Sequence, residues 1–170
     1  MSHKSLGIAI LTLSDTRDST TDKSGDYLDK AVRDAGHNVI DRQLLPDDLY
    51  SIRAIVSIWI AADEVDVVLT TGGTGFYERD VTPEALSVLF DKSIPGFGEV
   101  FRHLSLGEIG VSTLQSRALA GMANNTAIFC LPGSTNACQT AWEKLLQAQL
   151  NSETRPCNFV PHLGASKTKA

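Results

Sequence analysis

Four short apolar runs rich in β-branched residues recur along the chain, at Gly7–Leu13, Asn38–Leu45, Val65–Thr71 and Thr126–Leu131. Each has strand length, and the segments between them carry apolar residues at helical spacing. The first predicted helix begins near Ser24, places Tyr27, Leu28, Ala31 and Val32 on one face, and stops at Gly36, a residue suited to a left-handed cap. A second takes Asp47 or Asp48 as N-cap and turns Leu49, Ile52, Ile55, Val56, Trp59 and Ile60 inward. Thr82-Pro83-Glu84 opens a third, with Thr82 capping and Pro83 at the first helical position. Ser134 or Thr135 starts a last long helix that runs through Trp142 toward Leu150. Between Phe90 and Thr126, Pro95-Gly96-Phe97-Gly98, Gly107, Gly110 and Gly121 break the pattern, which predicts short helices and a small strand pair.

This alternation predicts an α/β chain with a largely parallel sheet covered on both faces, in a single domain over residues 1–170 with residues 164–170 frayed. Sheets of this kind bind ligands beyond the carboxyl ends of their strands. The residues just after each strand are therefore the candidates: Ser14-Asp15-Thr16 after the first, Asp47 and Asp48 after the second, Thr71-Gly72-Gly73-Thr74-Gly75 after the third and Pro132-Gly133-Ser134 after the fourth.

Composition narrows the function. The chain is 42% hydrophobic and 21% charged, enough to build a core without metal or disulfide staples. A net charge of -5 with no basic run argues against nucleic acid as a partner. Cys130, Cys138 and Cys157 are odd in number and form no C-x-x-C pair, which reads as reduced thiols in a cytosol. Leu6 to Leu13 is apolar, but Ser14, Asp15, Arg17 and Asp18 follow at once, so a buried strand is expected there rather than a secretory segment. No run has the length to cross a bilayer, and the expected location is cytoplasmic.

Glycines after a strand let the backbone approach a ligand and turn its N–H groups toward it, and a helix N-terminus adds partial positive charge. Together they suit an anion, most simply a phosphate. Neither familiar nucleotide motif is present: no lysine follows the glycines as a P-loop requires, and Arg79-Asp80 and Thr82-Pro83 interrupt any dinucleotide fingerprint. Asp80 stands where a carboxylate could hold Mg²⁺ against phosphate oxygens, or could pair with Arg79. Asp47 or Asp48 could reach the same rim or serve as a cap, and Arg117, beside Ser116, could clamp a phosphate. Glu99 and Arg102 share a helical face at i, i+3 spacing and could pair with each other.

Several segments resemble one family, the molybdopterin-binding proteins of molybdenum cofactor biosynthesis known as the MoaB/MogA group. They are "DKSG" at Asp22–Gly25, "TTGGTG" at Thr70–Gly75, "RDVTPEA" at Arg79–Ala85, "SRALAG" at Ser116–Gly121 and "LPGS" at Leu131–Ser134, in the family's order; "RPCNFVPH" at Arg155–His162 is most similar to the MoaB branch. The resemblance implies a three-layer αβα sandwich on a mostly parallel sheet, assembled as trimers or hexamers. It also implies molybdopterin as ligand and a reaction in which active members adenylylate it with Mg-ATP, releasing pyrophosphate, before a partner protein inserts the metal. A non-catalytic binding or carrier role is the alternative.

On that resemblance Asp80 and Asp47, with Asp48 in reserve, would hold Mg²⁺. Gly72, Gly73 and Gly75 with the hydroxyls of Thr71 and Thr74 would cradle phosphates, and Ser14, Asp15, Ser116, Arg117, Gly133 and Ser134 would line the pterin and nucleotide pockets. Phe76-Tyr77-Glu78 depart from the small residues usual in the family's loop. Phe97, Phe101 and Leu104 are expected to pack between subunits.

Overall fold

The computed structural model of the protein describes residues 4–164. β1 (Gly7–Leu13), β2 (Asn38–Leu45), β3 (Val67–Thr71) and β6 (Thr126–Leu131) lie parallel in the order β2-β1-β3-β6, and β5 (Leu119–Ala123) and β4 (Lys92–Ser93) extend the β6 edge antiparallel. Every residue of β1, β3 and β6 is buried. Burial on both faces explains why these strands read as continuous apolar runs without alternation.

Helices close both faces. Ile8, Ile10, Leu69 and Phe129 pack in one cluster with Leu28 and Val32 of α1 (Lys23–Asp34), Phe97 and Phe101 of α4 (Pro95–Ile109), and Cys138 and Ala141 of α5 (Thr135–Ala141). Ala9, Leu11, Val68 and Ile128 point the other way, onto Ile52, Val56 and Trp59 of α2 (Leu49–Ala61) and Ala85 and Leu86 of α3 (Thr82–Leu86). The three αβα layers follow from the two-residue period of the strands. Past α5 the same helix continues through a π-helical turn, Trp142–Leu146, and ends in α6 (Gln147–Gln149).

Local chemistry accounts for the helix ends. The Asp22 carboxylate caps α1 by accepting the Gly25 N–H, and Gly36 follows the helix with φ of 82°. Asp48 caps α2 by accepting the Ser51 N–H at 2.7 Å, and Ser134 caps α5 by accepting the Ala137 N–H at 3.1 Å. α3 differs from expectation. Val81 occupies its cap position, and the Thr82 hydroxyl, fully buried, donates instead to the Gly72 carbonyl at 2.9 Å, tying the helix to the glycine loop.

β3 starts at Val67 rather than Val65, because the Val65 N–H turns back to the Ala62 carbonyl at the end of α2. The glycine-broken stretch holds the expected strand pair, β4 with β5, but one long helix followed by a short 3₁₀ helix in place of several short helices. α4 runs for fifteen residues across Gly96, Gly98 and Gly107 and passes into a 3₁₀ stretch, Gly110–Gln115. Burial of Phe97 and Phe101 outweighs the weak helix propensity of glycine, and at Gly98 a Cβ would come within 2.6 Å of the Ala118 carbonyl oxygen, so the glycine admits the helix against β5. Those two phenylalanines are core residues and are not available for a subunit contact. The exposed large apolar residues of α4 and the stretch after it are Val100, Leu106, Ile109, Val111 and Leu114. Arg102 does not pair with Glu99; its guanidinium reaches the carbonyls of Ser116 and Ala118 and holds the returning chain. Of residues 164–170, expected to fray, Gly164 is held by its N–H on the Asn125 carbonyl at 3.1 Å, and residues 165–170 lie outside the described part.

Candidate functional site

The chain leaves β1 to form β2 on one side and then crosses back to place β3 on the other, so the sheet's direction of growth reverses between β1 and β3. A crevice opens beyond the carboxyl ends of two such strands. In this protein it is a cleft of about 740 Å³ that takes residues 13–17 from β1, Asp47 from beyond β2, the 72–80 segment from beyond β3, Pro132 and Gly133 from beyond β6, and Ser112, Gln115 and Ser116 from beyond α4.

Two carboxylates are seated directly on the glycine loop. Gly73 has φ of 62°, and a Cβ there would lie 2.5 Å from the Asp47 Oδ1 and collide with the Thr82 hydroxyl. At Gly75 a Cβ would lie 2.7 Å from the Asp80 Oδ2. The absence of side chains is what brings Asp47 and Asp80 against the loop's backbone. Asp80 is set by its own turn, its Oδ2 accepting the Tyr77 N–H at 2.8 Å. Of the two aspartates after β2, Asp48 is occupied as the α2 cap and Asp47 faces the cleft.

The Asp47 carboxylate is out of balance. Its Oδ1 is buried with no hydrogen-bond partner. Burial, and after it the negative charges of Asp15 and Asp80, push its pKa up to about 6, against a smaller downward pull from Arg79. An orphaned buried oxygen beside two further carboxylates has the chemistry of a cation site. Among the described residues no three acidic, histidine or cysteine side chains are gathered closely enough to hold a metal by themselves. Mg²⁺ does not need such a cage, since it takes one or two carboxylates and completes its octahedron with waters and substrate phosphates. The donor set therefore fits Mg²⁺ bound together with a phosphate ligand.

Most of the expected residues meet here: Ser14, Asp15, Asp47, Gly72, Gly73, Thr74, Gly75, Asp80, Ser116 and Gly133 all border the cleft. Three do not, and in each case a side chain expected to hold ligand holds protein. The Thr71 hydroxyl is buried and donates to the Pro132 carbonyl at 2.9 Å, joining the ends of β3 and β6. Ser134 caps α5 through its side chain. Arg117 donates from Nε to the Gly75 carbonyl at 2.9 Å and from Nη2 to the Asp80 carbonyl at 2.7 Å, pairs with Glu84, and lies over the Phe76 ring. Asp15 accepts the Asp47 N–H and pairs with Arg79, the arginine expected beside Asp80.

Two cations of the cleft were not legible as site residues. Arg17 is propped against the wall by its bonds to the Gly133 carbonyl at 3.0 Å and the Ser24 hydroxyl at 3.3 Å, and Arg79 crosses the mouth to Asp15. Arg17 stands two residues past Asp15, so proximity in sequence was the available signal. Ser112 and Gln115 had none, because they reach the cleft only through the unexpected length of α4.

A second hollow, about 410 Å³, lies between α4 and the last helix and is lined by Phe97, Val100, Phe129, Leu145 and Phe159. It offers no charged group to orient a ligand. The cysteines are free, and burial pushes the thiols of Cys130 and Cys138 up to about 12 and about 11, far from reactive. Among the described residues no helix is long and apolar enough to cross a membrane.

Comparison with known proteins gives the family of the chain. Residues 9–152 match the family described as a probable molybdopterin binding domain. Molybdenum cofactor biosynthesis protein B of Escherichia coli is 59% identical over 156 residues, covering 92% of each chain, and its namesake from Bacillus cereus is 45% identical over 152 residues, covering 89% of this chain and 90% of that one. A crystal structure of a molybdenum cofactor biosynthesis protein B superposes with a TM-score of 0.85 at 44% identity, over 88% of this chain and 94% of the other.

Proposed function

Since the chain belongs to the MoaB/MogA family of molybdopterin-binding proteins, on its MoaB branch, we propose that its cleft adenylylates molybdopterin with Mg-ATP. Its place in molybdenum cofactor biosynthesis and its binding of molybdopterin come with the family. The observation that carries the catalytic reading is the buried, unpartnered Asp47 oxygen beside Asp80 on the glycine loop.

The reaction joins two anions. An oxygen of the molybdopterin phosphate forms a bond to the α-phosphorus of ATP, the bond from that phosphorus to the α,β-bridging oxygen breaks, and pyrophosphate leaves. Each pair of unit charges 4 Å apart repels by about 4 kcal/mol at the effective dielectric of a protein surface, so charge neutralisation and alignment are the main demands. Asp47 and Asp80 would hold Mg²⁺, which supplies that neutralisation at the ATP phosphates. The N–H groups of Gly73 and Gly75 and the Thr74 hydroxyl donate to phosphate oxygens, whereas the Gly72 N–H, expected in the same role, is taken by the Leu131 carbonyl at 3.1 Å. Ser14, Asp15, Ser116 and Gly133 line the pterin and nucleotide pockets, and Arg17, fixed on Gly133, adds a cation to the cleft. The same reading takes the chain as one domain, working in the cytoplasm as a homotrimer or homohexamer and passing its product to a metal-inserting partner. The exposed apolar end of α4 and the 3₁₀ stretch after it would form the subunit contact.

One observation favours a carrier that binds without turnover: Thr71 and Arg117 are engaged with protein carbonyls, which leaves fewer donors for phosphate. Mixing the purified protein with molybdopterin and Mg-ATP separates the two readings. Adenylyl-molybdopterin and pyrophosphate from the wild type, and none from a folded Asp80→Asn variant, is the expected result. Bound molybdopterin with no product would establish the carrier.

A further inference from the structure

Arg117 binds the loop that carries Asp80 at both ends of its tip. Its Nε donates to the Gly75 carbonyl and its Nη2 to the Asp80 carbonyl, 42 and 37 residues away in sequence, while Nη1 reaches Glu84 in the first turn of α3. The guanidinium carbon lies 5.3 Å from the centre of the Phe76 ring, between those two anchor points. Residues 75–80 are thus drawn into a ring closed by one planar group, inside which the Asp80 carboxylate accepts the Tyr77 N–H. Arg117 itself does not line the cleft.

We propose that Arg117 is a positioning residue for the metal site: it fixes the Asp80 carboxylate on Gly75, opposite Asp47, by clamping the carbonyls of Gly75 and Asp80 at once. The proposal rests on the reading of Asp80 as a metal ligand. The 76–79 tip has exposed side chains at Phe76 and Tyr77 and little apolar burial to define its shape. The Tyr77–Asp80 turn shapes the tip and Thr82 anchors its far end to the glycine loop, and Arg117 adds the bonds that hold this turn on the Gly75 backbone beside a second carboxylate. A guanidinium can do this because its donors are coplanar and rigidly spaced, whereas a lysine ammonium at the same position can satisfy one carbonyl but not span both. Groups that orient a metal-binding side chain without touching the metal change affinity by about 10–100-fold when removed.

The test measures Mn²⁺ affinity, by electron paramagnetic resonance, in the presence of an ATP analogue with carbon in place of the α,β-bridging oxygen, so that no turnover intervenes. Wild type is compared with Arg117→Lys, Asp80→Asn and Glu84→Gln, each checked for a cooperative melt. Arg117→Lys is expected to weaken Mn²⁺ binding by about 10-fold or more. Asp80→Asn should weaken it at least as much. Glu84→Gln, which leaves both carbonyl bonds in place, should stay within about twofold. Wild-type affinity in Arg117→Lys, with affinity lost in Asp80→Asn, would overturn the positioning role and leave the metal assignment standing. Wild-type affinity in Asp80→Asn would remove the metal assignment and the positioning role with it. A loss in Glu84→Gln equal to that in Arg117→Lys would overturn the clamp, since the ion pair and not the carbonyl bonds would then carry the effect.

Discussion

Replacing Asp47 by asparagine should make the metal-free protein more stable at neutral pH and leave it no more stable in acid. The folded chain raises the Asp47 pKa from an ordinary 3.8 to about 6, first by burial and then by the charges of Asp15 and Asp80. A carboxyl group whose folded pKa lies above its unfolded one favours folding below the unfolded value, and that advantage is lost as pH rises through the folded value. About two pKa units correspond to at most ~3 kcal/mol. Asp47 lines an open cleft, where solvent screens the charges, and about 1 kcal/mol is the realistic share. Asparagine keeps the shape, removes the charge, and presents an amide that can donate to the neighbouring carboxylates. The variant should melt about 2–4 °C above wild type at pH 7.5 in EDTA, with the gap closing by pH 4, where wild-type Asp47 is protonated too. Circular dichroism melts of both proteins at the two pH values are sufficient. A variant that melts at or below wild type at pH 7.5, or a gap of the same size at both pH values, would refute the claim that Asp47 is an electrostatically strained group kept for a cation.

Other substitutions separate ligand-facing from structural residues. Gly73→Ala forces a side chain into a left-handed backbone against Asp47 and Thr82 and should cost about 1–3 kcal/mol in thermal or urea unfolding, together with loss of molybdopterin binding. Ser134→Ala removes only the α5 cap; a loss of about 1 kcal/mol with molybdopterin affinity retained is expected by equilibrium titration, and lost affinity would return Ser134 to the pocket. At Asp22, burial alone would raise the pKa, but the Arg42 guanidinium, the Gly25 N–H and the Thr12 hydroxyl together carry it below the usual carboxylate value. Asp22→Asn should therefore destabilise the protein by about 1–3 kcal/mol at pH 7, with the difference from wild type shrinking as the pH falls below the ordinary carboxylate range.

The elements were readable where one local rule decided them. β1, β2 and β6 have the bounds their apolar runs suggest, and α1, α2 and α5 begin at residues whose side chains cap the next turn. α4 was not readable, because three glycines argue against a helix and only the burial of Phe97 and Phe101 under Phe129 argues for it. The site was legible to the same depth. The glycine loop, Asp80 and the neighbourhood of Asp47 follow from their places after strands in an α/β order. The choice between Asp47 and Asp48 did not, since either has the chemistry of a cap and of a ligand, and the Ser51 N–H selects one.

The sequence by itself determined most of the strands and helices, that the sheet is largely parallel and covered on both faces, and that a glycine-rich loop with an acidic neighbour would emerge at the carboxyl end of a strand. These depend on periodicity and on residues a few positions apart. The tertiary structure alone decided which polar side chains line the cleft and which hold the frame. Thr71 was assigned by a carbonyl 61 residues away, Arg117 by carbonyls 37 and 42 residues away, and Arg17 by one 116 residues away. A hydroxyl or guanidinium has the same donors for a phosphate as for a backbone carbonyl. Only the folded chain, by placing an unsatisfied carbonyl within 3 Å of one side chain and none beside the Asp47 oxygen, distinguishes a strut from a site.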